Sequence, residues 1–493
     1  RRRSLAFKED FWLSFSSIIN KNYGPFALFD YQHKTAKYFR SIDELDKALS
    51  ILNLAIANWK NPQLPQNYNK VLFTKAKILE DQKKFDESKE SLIAIIKNNK
   101  IEDNKTLQDA FRNHILLDIK DMNWNKVAEY SSKLLAVTDD LINSERGDLE
   151  KHRNFSLFWL GRAYFKLNKH EKAFKTWEVL ANARSFSSYY VALSKYLLNM
   201  QDVHKLIVSK EKAKKSNDIL AIDTFVGKKQ VILRRVVSLL HHGRKEEAQC
   251  ELKELNIQKN NPGSMLTKAI LAYLSGDLLL AIRSYTKIPD KVRAFLPLHI
   301  KKILFPMRYE ESVNKYANRL GVDPILILSV IRQESVFNRH ARSRAGALGL
   351  MQILRRTARF EARRLPIDYV TKNQKDKLIS KLRDRRALYD SKTNIILGTH
   401  YLMRLINKYN STVLALAAYN AGPSNVDSWL KKIPAEDILY FIEKIPFRET
   451  QKYVKIILRN DFYYKALYNS KKTHDSQIEQ ITSNYAMFRK NYN

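Results

Sequence analysis

Apolar positions along the first two-thirds of the chain recur at helical spacing, in stretches of 10 to 20 residues joined by short polar breaks. The clearest stretch runs Leu160-Gly161-Arg162-Ala163-Tyr164, followed by Ala173 and Trp177. Small residues at Gly161, Ala163 and Ala173 let two helices approach closely, and an aromatic fills the gap beside them. Looser versions run through Ala76, Leu79, Ser88 and Leu92, through Leu239, Gly243, Ala248 and Leu252, and through Ala269, Gly276, Ala281 and Tyr285. Only 12 Gly and 12 Pro occur in 493 residues, too little turn chemistry for an all-β fold. The prediction is an all-α protein.

The hairpin at Leu160–Trp177 is similar to a tetratricopeptide-type unit. Ala248 and Ala281 lie 33 positions apart, close to one such period, whereas Ser88, Ala173 and Ala248 are separated irregularly. The pattern predicts an N-terminal α-superhelical solenoid over 1–205 and a helical linker region with repeat-like hairpins over 206–297. Near Pro297 and Pro306 the monotony ends, and clusters of Gly, Asn and Ser mark a second kind of domain over 298–469. A polar tail occupies 470–493.

Within that second domain, Asp323-Pro324 supplies an N-cap and a first-turn proline for a helix running to Glu334. Glu334 follows Ile331, Val330 and Ile327 by three, four and seven positions, which sets the carboxylate on an apolar stripe. Burial there would raise its pKa toward that of a general acid; the plain alternative is a glutamate that reaches water from the helix end. Beyond it, Ser343-Arg344-Ala345-Gly346-Ala347-Leu348-Gly349-Leu350-Met351-Gln352 predicts a tight loop folding over a cleft. No other acid occurs between Glu334 and Glu361, so the local sequence offers no paired carboxylate.

Four ordered blocks resemble the soluble lytic transglycosylases, a family with a lysozyme-like fold. They are Glu334 to Gln352, Asn394 to Leu402, Ala417 to Pro423, and the set Phe441, Glu443, Ile445, Pro446, Phe447, Glu449, Thr450, Tyr453 and Val454. Phe305-Pro306-Met307-Arg308-Tyr309 also resembles the family's lead-in to this domain. The resemblance implies a C-terminal lysozyme-like α domain that cleaves the MurNAc–GlcNAc bond of peptidoglycan and leaves 1,6-anhydromuramic ends. It implies Glu334 as acid and then base. It also implies Ser343, Met351, Gln352, Tyr419, Asn420 and Glu443 as residues lining or supporting the sugar site. Tyr419 is expected to contact sugar and to hold the carboxylate by its hydroxyl, whereas Glu443 reads equally well as structural. His400 is expected to be a surface or packing residue. Arg355-Arg356 departs from the family pattern. The stretch Glu361 to Leu388 is long and basic, and with Arg339, Arg342 and Arg344 it predicts a cationic rim.

Composition adds limits. The net charge is +36, from 87 Lys and Arg against 51 Asp and Glu, which suits an anionic partner such as cell-wall polymer. Nucleic acid is not expected, because no reading motif accompanies the charge. The single cysteine, Cys250, predicts a buried structural thiol and no disulfide framework. No Cys/His cluster suggests a metal, and no cofactor is expected. No run approaches the roughly 18 to 20 apolar residues of a membrane span. No leader-like core follows Arg1-Arg2-Arg3; a periplasmic setting is expected, with a signal peptide not visible in this sequence. Peptidoglycan strands are the expected partners, with cell-wall enzymes as further candidates. The competing readings are a hydrolytic goose-type lysozyme relative and a helical scaffold that binds peptidoglycan without turnover.

Overall fold

The computed structural model describes residues 9–59, 67–98, 104–143, 149–183, 188–198, 227–255, 261–293, 296–366 and 371–468. The tail expected at 470–493, and residues 199–226 at the expected solenoid–linker junction, lie outside the described residues. Among those described, helices account for all regular structure. Among the described residues, the only β-type pairings are isolated bridges joining Arg342 to Leu348 and Leu348 to Ile353. The fold is all-α.

Two compact units meet at Thr176/Trp177, so the sequence boundary at 297/298 falls inside the second. The first begins with α1 (Glu9–Ser41), broken where Gly24 takes φ 80° ahead of Pro25. It continues with α2 (Leu45–Ala57), α3 (Tyr68–Asp81), α4 (Phe85–Lys97), α5 (Asn104–Lys120), α6 (Trp124–Asn143) and α7 (Glu150–Lys166). Helix α8 (His170–Ala181) carries the division. The expected small residues do allow close packing. The Ser88 hydroxyl donates to the Ala76 carbonyl at 2.9 Å across the α3–α4 hairpin. Hairpin after hairpin turns on one residue in the left-handed region: Asp43, Lys83, Met122, Asn168.

The second unit contains α9 (Tyr189–Leu197), α10 (Lys228–His241), α11 (Lys245–Glu254), α12 (Pro262–Ser275) and α13 (Leu278–Thr286). Ala248, Leu252, Ala269, Ala281 and Tyr285 are buried as their spacing predicts. Cys250 is not: it is exposed. It stands two positions from both Ala248 and Leu252, about 200° around the helix from each, and so faces outward.

Short helices α14 (Asp290–Arg293) and α15 (Leu298–Lys301) lead to α16 (Glu310–Leu320) and α17 (Pro324–Ser335). Then come α18 (Arg355–Arg364), α19 (Lys372–Lys381), α20 (Ser391–Tyr409), α21 (Thr412–Ala421), α22 (Pro423–Leu430), α23 (Ile438–Lys444) and α24 (Arg448–Tyr468). Helix α17 is the axis of this part. Asp323 caps it by accepting from Ile325 N at 2.9 Å, and Pro324 opens it. Ile327, Leu328, Val330 and Ile331 are fully buried, each worth about 1.5–3 kcal/mol. Apolar residues all round α17 mean that it needs neighbours on every side. Helices α16 and α24 are two of them. Arg332 ties α17 to the lead-in segment through the Leu304 carbonyl at 2.5 Å and to α24 through Asn460 Oδ1 at 2.9 Å. Tyr464 and Tyr468 donate to the carbonyls of Pro306 and Phe305 at 3.0 and 2.8 Å, clamping the same segment onto α24.

Candidate active site

Glu334 occupies the last turn of α17, half-buried. The helix stops there because Val336 and Phe337 both take positive φ, 50° and 61°, and turn the chain into the loop 338–353. Burial pushes the Glu334 carboxyl up, a bond from the Tyr453 hydroxyl pulls it down, and the nearby negative charge of Glu449 raises it again. The result is a pKa of about 7. The Tyr453 hydroxyl donates to Glu334 Oε1 at 2.7 Å. Glu449 is exposed and lies one turn before Tyr453 on α24.

The loop is held by side chains distant in sequence. Asn394, buried on α20, donates from Nδ2 to the carbonyls of Leu348 and Leu388, both at 2.9 Å. Its Oδ1 accepts from Met351 N at 2.7 Å. Gly349 has φ +79°, and a Cβ there would stand 2.2 Å from Asn394 Nδ2 and 2.3 Å from the Leu388 carbonyl. Gly398 is equally constrained, since a Cβ would meet Met351 Sδ at 2.4 Å. The Ser335 hydroxyl donates to the Leu350 carbonyl at 2.8 Å, tying the loop to the residue after Glu334.

The residues singled out from sequence fall into distinct positions. Met351, within the loop, is fully buried against Gly398. Gln352, at φ 47°, donates to the carbonyls of Gly349 and Ala341 at 2.8 and 3.0 Å and so braces the loop. Ser343 Oγ accepts from Ala347 N at 3.0 Å within the loop turn. Asn420 Oδ1 accepts from the Thr450 hydroxyl at 2.6 Å, joining α21 to α24. The expectation that Tyr419 holds the Glu334 carboxylate is corrected. Its hydroxyl donates to the Met351 carbonyl at 2.8 Å, and Tyr453 makes the carboxylate bond instead. Tyr419 is still close enough that the Glu334 charge, after burial, raises its phenol.

Glu443 is buried on α23. It accepts from Lys455 at 2.7 and 2.8 Å and from the Tyr190 hydroxyl of α9 at 2.6 Å. Lys455 stands two residues after Tyr453, about 200° around α24, so the Glu443 pair lies on a different face from Glu334. His400 is buried and bonds Glu361 Oε2 at 2.7 Å, while Arg404 grips the same carboxylate at 2.8 to 3.2 Å. Burial alone would raise Glu361; the bonds from His400 and Arg404 outweigh it and hold the carboxyl below its ordinary range. The next acid in sequence after Glu334 is therefore an ionised structural anchor.

Two neighbours of Glu334, Tyr453 and Glu449, carry no role in the sequence reading. Both sit in the fourth sequence block, and their spacing of four on α24 was the available signal. It could not be used without knowing that α24 packs on α17.

A half-buried acid at a helix end, a glycine loop beside it and a tyrosine on its carboxylate describe the lysozyme-like class of α domain. The family model "Transglycosylase SLT domain" matches residues 311–442. The soluble lytic murein transglycosylase of Salmonella typhimurium is 34% identical over 178 residues, covering 36% of this chain and 26% of that protein. The putative soluble lytic murein transglycosylase of Haemophilus influenzae is 34% identical over 182 residues, covering 36% and 28%. The chain thus matches little more than a quarter of the length of these curated relatives. Among solved structures, an inactive mutant of lytic transglycosylase Slt from Pseudomonas aeruginosa shares the fold. Its TM-score is 0.65 at 21% identity, over 94% of this chain and 68% of that one. The 70 kDa soluble lytic transglycosylase from Escherichia coli gives a TM-score of 0.59 at 20% identity, over 90% and 63%. The chain thus carries a transglycosylase SLT domain over residues 311–442.

Proposed function

We propose that this protein is a peptidoglycan lytic transglycosylase that cleaves the MurNAc–GlcNAc β-1,4 bond and leaves 1,6-anhydromuramic ends. The observation carrying this reading is the Glu334 carboxyl, pushed up to about 7 by burial and gripped on one oxygen by Tyr453. At neutral pH such a group holds a proton in a substantial fraction of molecules, which a general acid needs. With Oε1 engaged by Tyr453, Oε2 is the oxygen left to carry the proton.

In the first step Glu334 protonates the glycosidic oxygen as the C1–O bond breaks. The N-acetyl oxygen of the muramic residue stabilises the positive charge developing at C1, a substrate-assisted route that needs no second carboxylate. In the second step the ionised Glu334 removes the proton from the C6 hydroxyl, whose oxygen closes on C1. The proton returns to Glu334, and no water is consumed. Tyr453 donates to the carboxylate throughout, most strongly when Glu334 is ionised. Tyr419 holds the Met351 carbonyl and Asn394 holds the Met351 amide, so the loop beside the acid is braced at both ends of one residue. Ser343, Met351, Gln352, Tyr419 and Asn420 are assigned to shaping the sugar cleft. Glu443 is assigned to anchoring α23 on α24.

Peptidoglycan strands are the proposed substrate and the periplasm the proposed setting. Among the described residues, no helix is long and apolar enough to cross a membrane. The test is mass spectrometry of soluble products from purified sacculi, comparing wild type with Glu334→Gln. Anhydromuropeptides from wild type alone support the reading. Reducing-end products would reassign the protein as a hydrolase, and no release from either would favour a binding scaffold.

A further inference from the structure

The catalytic loop and helix α18 lie against different sides of α20. Met351 packs on Gly398. Glu361 of α18 is held by His400 and Arg404, about 200° and 240° further round the same helix. The inner face of α18 is Ala358, Glu361 and Ala362, all buried. Its outer face is Arg355, Arg356, Arg359, Phe360, Arg363 and Arg364, all exposed.

Three features separate this face from an ordinary solvated charge run. First, it is uncompensated. Residues 339–392 hold sixteen Lys and Arg against five Asp and Glu. Of those acids, Glu361 is sequestered, Asp384 pairs with Arg386, and Asp390 caps α20. Among the described residues, no carboxylate pairs with Arg356, Arg359 or Arg363. Second, the face is continuous. Arg355 donates to the carbonyls of Leu382 and Arg383 at the end of α19, and His340 meets the Tyr389 ring at 5.4 Å beside Arg385 and Arg386. Third, it displays large apolar groups among the arginines. Leu354 and Phe360 are 44% and 43% exposed, and Phe360 lies under the guanidinium of Arg364 at 4.2 Å.

Guanidinium forks match phosphate geometry, and exposed leucine and phenylalanine beside them match the boundary between headgroups and acyl chains. A carbohydrate polymer would account for the charge through its carboxylates and for Phe360 by ring stacking, but not for the exposed Leu354. We propose that the outer face of α18, with the arginines around residues 383–386, docks on a membrane surface bearing anionic phospholipid headgroups. This inference does not rest on the catalytic reading.

The test is co-sedimentation of the full chain with vesicles of phosphatidylcholine alone, and of equal parts phosphatidylcholine and phosphatidylglycerol. Binding is expected only to the anionic vesicles and should weaken as salt rises. The triple variant Arg359→Gln, Phe360→Ser, Arg363→Gln should lose about tenfold or more in vesicle affinity. Its unfolding midpoint and its behaviour toward sacculi should stay those of wild type. The milder pair Arg356→Gln, Arg359→Gln, which leaves every apolar contact in place, should also lose about tenfold. It keeps the test valid if the triple variant folds poorly. Equal binding to both vesicle types, or unchanged binding by the milder pair, overturns the proposal. Loss of sacculus binding with vesicle binding intact also overturns it and assigns the face to the anionic wall polymer.

Discussion

The hydroxyl of Tyr453 lies 2.7 Å from Oε1 of Glu334, although 119 positions separate them in the chain. One side chain ends α17 and the other belongs to the second turn of α24. The bond leaves Glu334 a half-engaged carboxyl in a dehydrated setting, which is the condition for giving up and recovering a proton near neutral pH.

Removing the acid should remove turnover without harming the fold. Glu334→Gln keeps the size and an oxygen that can still accept from Tyr453, so its circular dichroism should match wild type. Anhydromuropeptide release should fall below detection. Normal release by a folded Gln variant would sink the assignment.

Removing the tyrosine hydroxyl should slow turnover without abolishing it. The bond in Tyr453→Phe is to a group that becomes charged in mid-reaction, worth about 1.5–3 kcal/mol, or about ten- to a hundredfold in rate. Because that bond lowers the Glu334 pKa, its loss should shift the alkaline limb of the pH–rate profile to higher pH. A slower variant with an unmoved limb would mean that Tyr453 only packs.

Glu334 and Glu361 should give opposite dependences of stability on pH. Glu334 is raised from 4.5 to about 7 in the folded protein, so the folded state holds this proton more tightly than the unfolded chain. Its contribution to stability is fullest below 4.5 and is lost as pH rises through 7, up to about 3 kcal/mol before solvent screening is allowed for. Glu334→Gln should therefore be more stable than wild type above pH 7, and the gap should close toward pH 4.5. Glu361 is lowered from 4.5, so its stabilisation is present above that value and is lost on acidification below it. Glu361→Gln breaks a buried pair with Arg404 and His400 and should cost about 3–5 kcal/mol at neutral pH. Urea unfolding of both variants across the pH range reads both signs.

Filling the space beside Asn394 should destabilise the loop. Gly349→Ala places a methyl about 2 Å from backbone and amide atoms at a positive φ, and a cost of about 3 kcal/mol or more is expected. Thermal unfolding should show a lower midpoint with weaker turnover. An unchanged midpoint would mean that the loop readily rearranges.

Much of this protein was legible before folding. The 3.6-residue period gave the all-α class, because a helix must bury one stripe whatever it packs against. Asp323-Pro324 and the apolar run to Ile331 marked α17 and set Glu334 at its end, because capping and periodicity act within a few residues. The hairpin turns were hidden: Asp43, Lys83, Met122 and Asn168 take a left-handed conformation that the helix–helix geometry imposes, with no glycine to announce it. The outward turn of Cys250 was present in its spacing from Ala248 and Leu252, and the apolar character of a thiol outweighed it. Which tyrosine reaches Glu334 was decided only by tertiary structure. Tyr419 and Tyr453 both belong to the sequence blocks, but the packing of α24 on α17 brings one to the carboxylate, while the loop takes the other for its backbone. The partners of Glu443 were decided the same way: Lys455 across the α23–α24 contact and Tyr190 from far upstream. Local sequence sets what a residue can do, whereas the partner it meets depends on how distant helices pack, and no short window of sequence encodes that.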